Sequence, residues 1–135
     1  MDLFGGKVLV SLTKSLDTSS LRHRVASNNI ANVNTPYFKK SSVDFESMLR
    51  KALGHDPAPM RTSDPRHFGN KLDLNKVQPT VQQHKSTLMR TDLNNVDIDE
   101  EMTNLAANTI MYQTLTRLVS DRYSGLTTVI SGGKR

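Results

Sequence analysis

Cysteine and tryptophan are both missing from this 135-residue chain. Without cysteine there can be no disulfide framework, no thiolate metal site and no thiol nucleophile, which removes several enzyme classes at once. Aromatic residues are scarce at 5%, and hydrophobic residues reach only 36%, against about 45–50% apolar in an ordinary globular domain with glycine counted. A chain of this length normally buries one core of its own. With so little apolar surface a compact monomer would be marginal, so the apolar stripes are expected to be buried against other copies or partners. No uninterrupted apolar run reaches the ~18 residues of a membrane span, so direct membrane insertion is not expected. The opening residues, Met1 to Lys7, lack the basic start, apolar run and small-residue cleavage site of a secretory signal. By these rules alone the chain reads as soluble and cytoplasmic.

Reactive constellations are missing as well. The four histidines, His23, His55, His67 and His84, are far apart and have no carboxylates at ligand spacing. Asp97, Asp99, Glu100 and Glu101 lack the alternating ligands and central glycine of a calcium loop, and they suit a helix start better. No glycine-rich phosphate loop or Gly-x-Ser-x-Gly elbow occurs. No catalytic residue, metal site or cofactor is expected, and the chain is not read as an enzyme. The net charge of +5 invites a nucleic-acid reading, but its distribution argues otherwise. Residues 1–90 carry 14 Lys/Arg and 7 Asp/Glu, and residues 91–135 carry 4 and 6. The cations are scattered singly or in pairs, with no stripe interleaved with aromatics.

What is present is a partition. All five prolines fall between Pro36 and Pro79, and proline in a helix interior costs roughly 3 kcal/mol or more. Two long helices around a broken middle are predicted, the first from about Lys7 to Val33. Its seam, Leu9, Leu12, Leu16, Ser19, His23, Ala26 and Ile30, alternates steps of three and four, with Ser19 and His23 interrupting the apolar stripe. The last helix starts with Asp97 as N-cap and Glu100 three residues on, as in a capping box. It continues the alternation through Ile98, Met102, Leu105, Thr109, Tyr112, Thr116, Val119, Tyr123, Leu126 and Ile130, and ends at Gly132-Gly133. The helix-pair core is assigned to Leu9, Leu12, Leu16, Ala26 and Ile30 on one side and Ile98, Leu105, Tyr112, Val119, Leu126 and Ile130 on the other. A short helix is expected near 43–53, with Phe45, Met48, Leu49 and Ala52 on one face. Residues 55–90 read as a polar loop with extended pieces at most at Val77 or Val81. The fold class is therefore mainly α: N- and C-terminal helices packed as an antiparallel coiled-coil-like pair, residues 1–35 and 97–135, around an irregular, mobile middle at 36–96.

One stretch does not fit simple helix building. Asn28, Asn29, Asn32 and Asn34 crowd the end of the first helix, although asparagine is a poor interior helix former whose amide competes for backbone bonds. Thr35-Pro36 supplies the stop. The run Asn-Asn-Ile-Ala-Asn-Val-Asn-Thr-Pro resembles the N-terminal signature of the flagellar rod and hook family, the axial proteins of the bacterial flagellum. Asn94-Asn95-Val96-Asp97-Ile98-Asp99-Glu100-Glu101-Met102, followed by Asn104-Leu105 and Tyr112-Gln113, resembles its C-terminal signature. Together the blocks and their flanking helices cover about half the chain. One position departs: the family has glycine or another turn-tolerant residue after Thr-Pro, where this chain has Tyr37 before Phe38. If that position needs positive φ, tyrosine is strained there.

The resemblance implies a structural subunit of the proximal rod that self-assembles and transmits torque, with its terminal helices in the inner wall of a tube. It implies contacts between copies through Asn28, Asn29, Ile30, Asn32, Asn34, Thr35 and Pro36, and through Asn95, Asp97, Glu101, Met102, Met111 and Tyr112. The implied partners are other copies of the chain, other rod proteins such as FlgC and FlgF, the adapter FliE, the MS ring and the flagellar type III export apparatus. Export without a cleaved signal peptide, to the rod in the periplasm, would follow. A generic coiled-coil adaptor or type III secreted protein would share the heptads but has no use for the paired asparagine blocks.

Overall fold

The computed structural model describes residues 6–53, 74–85 and 91–132. Its element order is α1 (Lys7–Ala31), β1 (Ser41–Asp44), α2 (Glu46–Leu53), a single 3-10 turn (Leu74–Lys76), β2 (Thr80–Gln83) and α3 (Ile98–Ile130). α1 and α3 pack against each other, and they run antiparallel, as expected.

The register of the pair follows from two side-chain bonds. Asn29 Nδ2 donates to Glu101 Oε2 and Asn108 Nδ2 donates to the Ser19 carbonyl, so residue numbers rise on one helix as they fall on the other. Continuing that register puts Lys7 opposite about Ser120. α1 has 25 residues and α3 has 33, or ~37 and ~50 Å at 1.5 Å per residue. The last ten or so residues of α3 therefore run past the first turn of α1.

Ser19, which interrupts the apolar stripe in the sequence, lies at a direct contact between the helices. Thr18 and Ser19 are buried with Ala26 and Asn29, and such small side chains let the Asn108 amide reach a backbone carbonyl on the facing helix. The leucines Leu9, Leu12 and Leu16 are only half-buried, as are Ile30, Leu105, Val119 and Leu126. Ile98, Tyr112 and Ile130 were assigned to the pair core, yet they are exposed on the single chain. The overrun explains Ile130, which has no α1 turn opposite it.

The best-buried apolar side chains lie instead in and beside the middle segment. Phe45, Leu74, Val77 and Val96 are buried, each such burial being worth about 1.5–3 kcal/mol. The same segment contains a two-stranded antiparallel sheet in which Ser41, Ser42, Val43 and Asp44 pair with Gln83, Gln82, Val81 and Thr80. The sequence predicts a helix over about 43–53, but strand occupies Ser41–Asp44 and α2 starts only at Glu46. Pairing with a strand almost forty residues away overrides the local helical pattern. Val81, read as an extended piece, lies in β2, while Val77 is buried just after the 3-10 turn. The remainder of the predicted loop, 55–73 and 86–90, is outside the described residues.

α3 begins as its sequence dictates. Asp97 Oδ1 accepts from the amides of Asp99 and Glu100, and three acidic residues occupy the first turn at the positive end of the helix dipole. Glu100, expected to reach back to Asp97, instead takes the Lys40 ammonium at 2.8 Å. At the other end Gly132 adopts φ +71° after Ser131, the left-handed conformation that glycine holds without strain.

Candidate functional site

The two asparagine-rich blocks, more than sixty residues apart in sequence, meet at one end of the helix pair and form an intramolecular polar clasp. Its first member is Asn29, 1% exposed. Its carboxamide faces Ser41 as a neighbouring strand would: Oδ1 accepts from Ser41 N at 3.1 Å and Nδ2 donates to Ser41 O at 2.8 Å. Nδ2 also donates to Glu101 Oε2 at 3.0 Å, so one amide ties α1 to β1 and α3. Further along the same edge, Arg22 donates to the Val43 carbonyl and to Glu46. The outer edge of β1 is thereby sealed by side chains of α1 rather than left open for another strand.

Asn94 and Asn95 are fully buried. Asn94 Nδ2 donates to the carbonyls of Asn32, Val33 and Thr35 at 3.0, 3.1 and 2.8 Å, which caps the C-terminal end of α1 from a distant part of the chain. Its Oδ1 accepts from Val96 N, so the same side chain sets the extended entry into α3. Asn95 works on the sheet. One rung beyond the Ser41–Gln83 pair, His84 N donates to Lys40 O, but Lys40 N donates to Asn95 Oδ1 and Asn95 Nδ2 donates to His84 O. The carboxamide is spliced into that rung as if it were a peptide group. Each of these bonds spares a buried polar group a desolvation cost of about 1–3 kcal/mol.

Of the residues expected at contacts between copies, Asn29, Asn95 and Glu101 are buried on the single chain and bonded within it. Asp97 is occupied as the α3 cap. Asn32 is bonded locally near the surface, its Nδ2 on the Asn28 carbonyl and its Oδ1 accepting from Thr35 Oγ1. Asn28, Asn34, Thr35, Pro36, Met102, Met111 and Tyr112 are exposed and Ile30 is half-buried. Nothing in the local pattern distinguishes Asn94 or Ser41, because their partners are assigned by the fold and not by spacing along the chain. The doubling of asparagine in both blocks was the available signal, one amide of each pair being turned onto the sheet.

The structure settles the turn after Pro36, whose conformation the sequence leaves open. Tyr37 has φ +63°, and so does Leu93. The two turns touch, Tyr37 N donating to Asp92 O at 3.0 Å, while Lys39 Nζ holds the Leu93 carbonyl at 2.7 Å. Between α1, β1 and α3 lies a groove of about 320 Å³ lined by Val25, Ala26, Val43, Ala107 and Met111, with Arg22 and Glu101 among its polar walls. The Arg22 hydrogen bond holds the Glu46 carboxyl below its ordinary pKa, partly opposed by desolvation. With the Glu46 side chain 60% exposed, solvent screening leaves such a pair worth a fraction of a kcal/mol.

Among the described residues no cluster of three or more His, Cys, Asp or Glu could hold a metal ion, and no helix is long and apolar enough to cross a membrane. What the described surface offers is apolar. Ile98, Met102, Ile110, Met111, Tyr112, Leu118, Tyr123, Val129 and Ile130 of α3 are all exposed. Thr103, Thr109, Thr114, Thr116, Thr127 and Thr128 each spend their hydroxyl on the carbonyl four residues back, which reduces the polarity of the helix surface further.

No protein-family model matches the chain. It is similar to curated proteins named flagellar basal body rod protein FlgB. The one from Bacillus subtilis (strain 168) is 35% identical over 135 residues, covering 99% of this chain and all of that protein. Those from Borrelia hermsii and Borreliella burgdorferi are 38% and 40% identical over 120 and 121 residues, covering 85% of this chain and 89% of each relative.

Proposed function

The chain belongs to the family of the flagellar basal body rod protein FlgB, and from that membership we propose that it self-assembles into the proximal rod and transmits torque through it. It is a structural component of the flagellar basal body rod. The observation that carries the finer reading is that large apolar residues stand uncovered along and around α3 on a single chain. Exposed apolar area of this extent is normally covered in the working state of a protein, and α3 outruns α1 by about ten residues. Both facts suit a helix that finishes its packing on neighbouring copies.

In this reading the exposed members of the first block, Asn28, Asn34, Thr35 and Pro36, meet other subunits together with Met102, Met111 and Tyr112. The buried asparagines serve a different end: they lock the shape in which those surfaces are presented. Contacts with FlgC, FlgF, FliE and the MS ring, passage through the type III export apparatus without signal cleavage, and residence in the periplasmic part of the rod are the further parts of the proposal.

The test is to replace Ile110 and Leu118 by Asp in cells whose own copy has been deleted. The helical signal of the purified variant should match the parent, because both side chains are solvent-facing on the single chain. Rods and swimming should be lost. Normal rods and motility, with the variant at parental levels, would overturn the self-assembly reading. Rods in the deletion strain itself would overturn the structural role.

A further inference from the structure

We propose that Tyr37 of one copy seats its ring in the groove between α1, β1 and α3 of the next copy. This rests on the reading of the chain as a self-assembling subunit and names the contact that joins one copy to the next. Three observations lead to it.

The first is a strain that the single chain does not use. Tyr37 occupies left-handed backbone at φ +63°, which glycine would hold freely and a side chain of this size holds at a cost. Its ring recovers nothing at home, being 74% exposed. Its base is nonetheless rigid. Tyr37 N is bonded to Asp92 O, Phe38 N to Thr35 O, and the Thr35 carbonyl to the buried Asn94 amide. The result is a fixed aromatic knob with exposed Leu93 on the adjoining turn.

The second is a hole of matching size and chemistry. The groove has a volume of about 320 Å³, and Val25, Ala26, Val43, Ala107 and Met111 line it together with the polar Arg22, Ser41, Ser42, Asn104 and Asn108. A closed apolar cavity of ~150 Å³ already accepts a benzene ring. At the groove lies Glu101, 6% exposed, whose Oε2 takes one bond from Asn29. A carboxyl group has acceptor capacity beyond that bond. The phenol of tyrosine supplies an apolar ring for the lining and one O–H donor for that carboxyl.

The third is placement. The knob lies beyond the C-terminal end of α1, whereas the groove lies beside residues 22–26 of that helix. A patch that fits a different patch on an identical molecule joins copies head to tail. Such a contact closes on itself only by accident of rotation and otherwise extends as an open helical array, which is the form a shaft requires.

The absence of cysteine makes the test direct. Tyr37→Cys and Ala107→Cys are placed in separate copies carrying tags of different mass, made together in the deletion strain and oxidised in the cell. The cross-linked heterodimer should exceed at least fivefold that from Tyr37→Cys with Ser124→Cys, an exposed α3 position distant from the groove. Equal or absent cross-linking overturns the proposal. A second variant reads the energetics. Tyr37→Gly should keep the helical signal and Tm of the parent or better, yet weaken association of copies at least tenfold, with Tyr37→Phe between the two. Unchanged association for Tyr37→Gly also overturns the knob. In that event rods that still depend on the gene would leave the structural role standing, so the two failures are distinguishable.

Discussion

The clearest effect at the scale of single residues separates two asparagines that share one block. Asn29 bonds three groups on two other elements while almost fully buried, whereas the Asn32 amide returns to its own helix and sits near the surface. Asn29→Ala is expected to destabilise the isolated chain by about 2–4 kcal/mol, since it strands the Ser41 amide and carbonyl and the Glu101 carboxyl. Asn32→Ala should change stability by no more than about 0.5 kcal/mol, since the side-chain bonds it removes are local and exposed to solvent. Urea unfolding of the two variants checks this. Equal effects would mean that the clasp is not centred on Asn29. Reading the block from sequence places both amides on one helix end but cannot say that one of them faces inward, because the partner that decides it lies 72 residues away.

Legibility at the scale of elements follows the range of the forces involved. α1 and α3 are legible because their three-four alternation, proline boundaries, Asp97 cap and Gly132 stop act within a few residues of one another. The strand pair is not. Ser41–Asp44 and Thr80–Gln83 are short and polar, and they owe their strand state to each other and to the amides of Asn29 and Asn95. Nor does the apolar pattern of α3 reveal which of its rows faces α1. The positive φ at Tyr37 is open in the sequence, where only the departure from the family's pattern after Thr-Pro points to that position. Gly125 offers a measurement at this scale. It sits inside α3 with no atom near a would-be Cβ, so Gly125→Ala should stabilise the helix by about 0.5–1 kcal/mol. The expected readout is a raised Tm and slower amide exchange over residues 120–130. An unchanged exchange pattern there would show that the overrun of α3 is held by something other than its own propensity.

For the whole molecule, the clasp turns a long chain with a small apolar core into one unit, joining Lys40 to Asn95, Thr35 to Asn94, and Ser19 to Asn108 across 55, 59 and 89 positions. Each bond closes a loop, so the chain must surrender the freedom of the entire intervening stretch before the first of them repays anything. Helices form within about a microsecond. Closure of the ends is the slower event, and the rate at which an unfolded chain reaches this fold is governed by an entropy of search and not by the helices that dominate its appearance. That entropy grows only as the logarithm of loop length, about 0.6 kcal/mol per doubling. Twenty flexible residues inserted between positions 60 and 61 should therefore cost under about 0.5 kcal/mol and slow refolding less than about threefold, as stopped-flow circular dichroism would record. A family sharing this clasp could vary its middle segment widely in length at almost no thermodynamic cost, because the two ends that must find each other carry their own means of recognition.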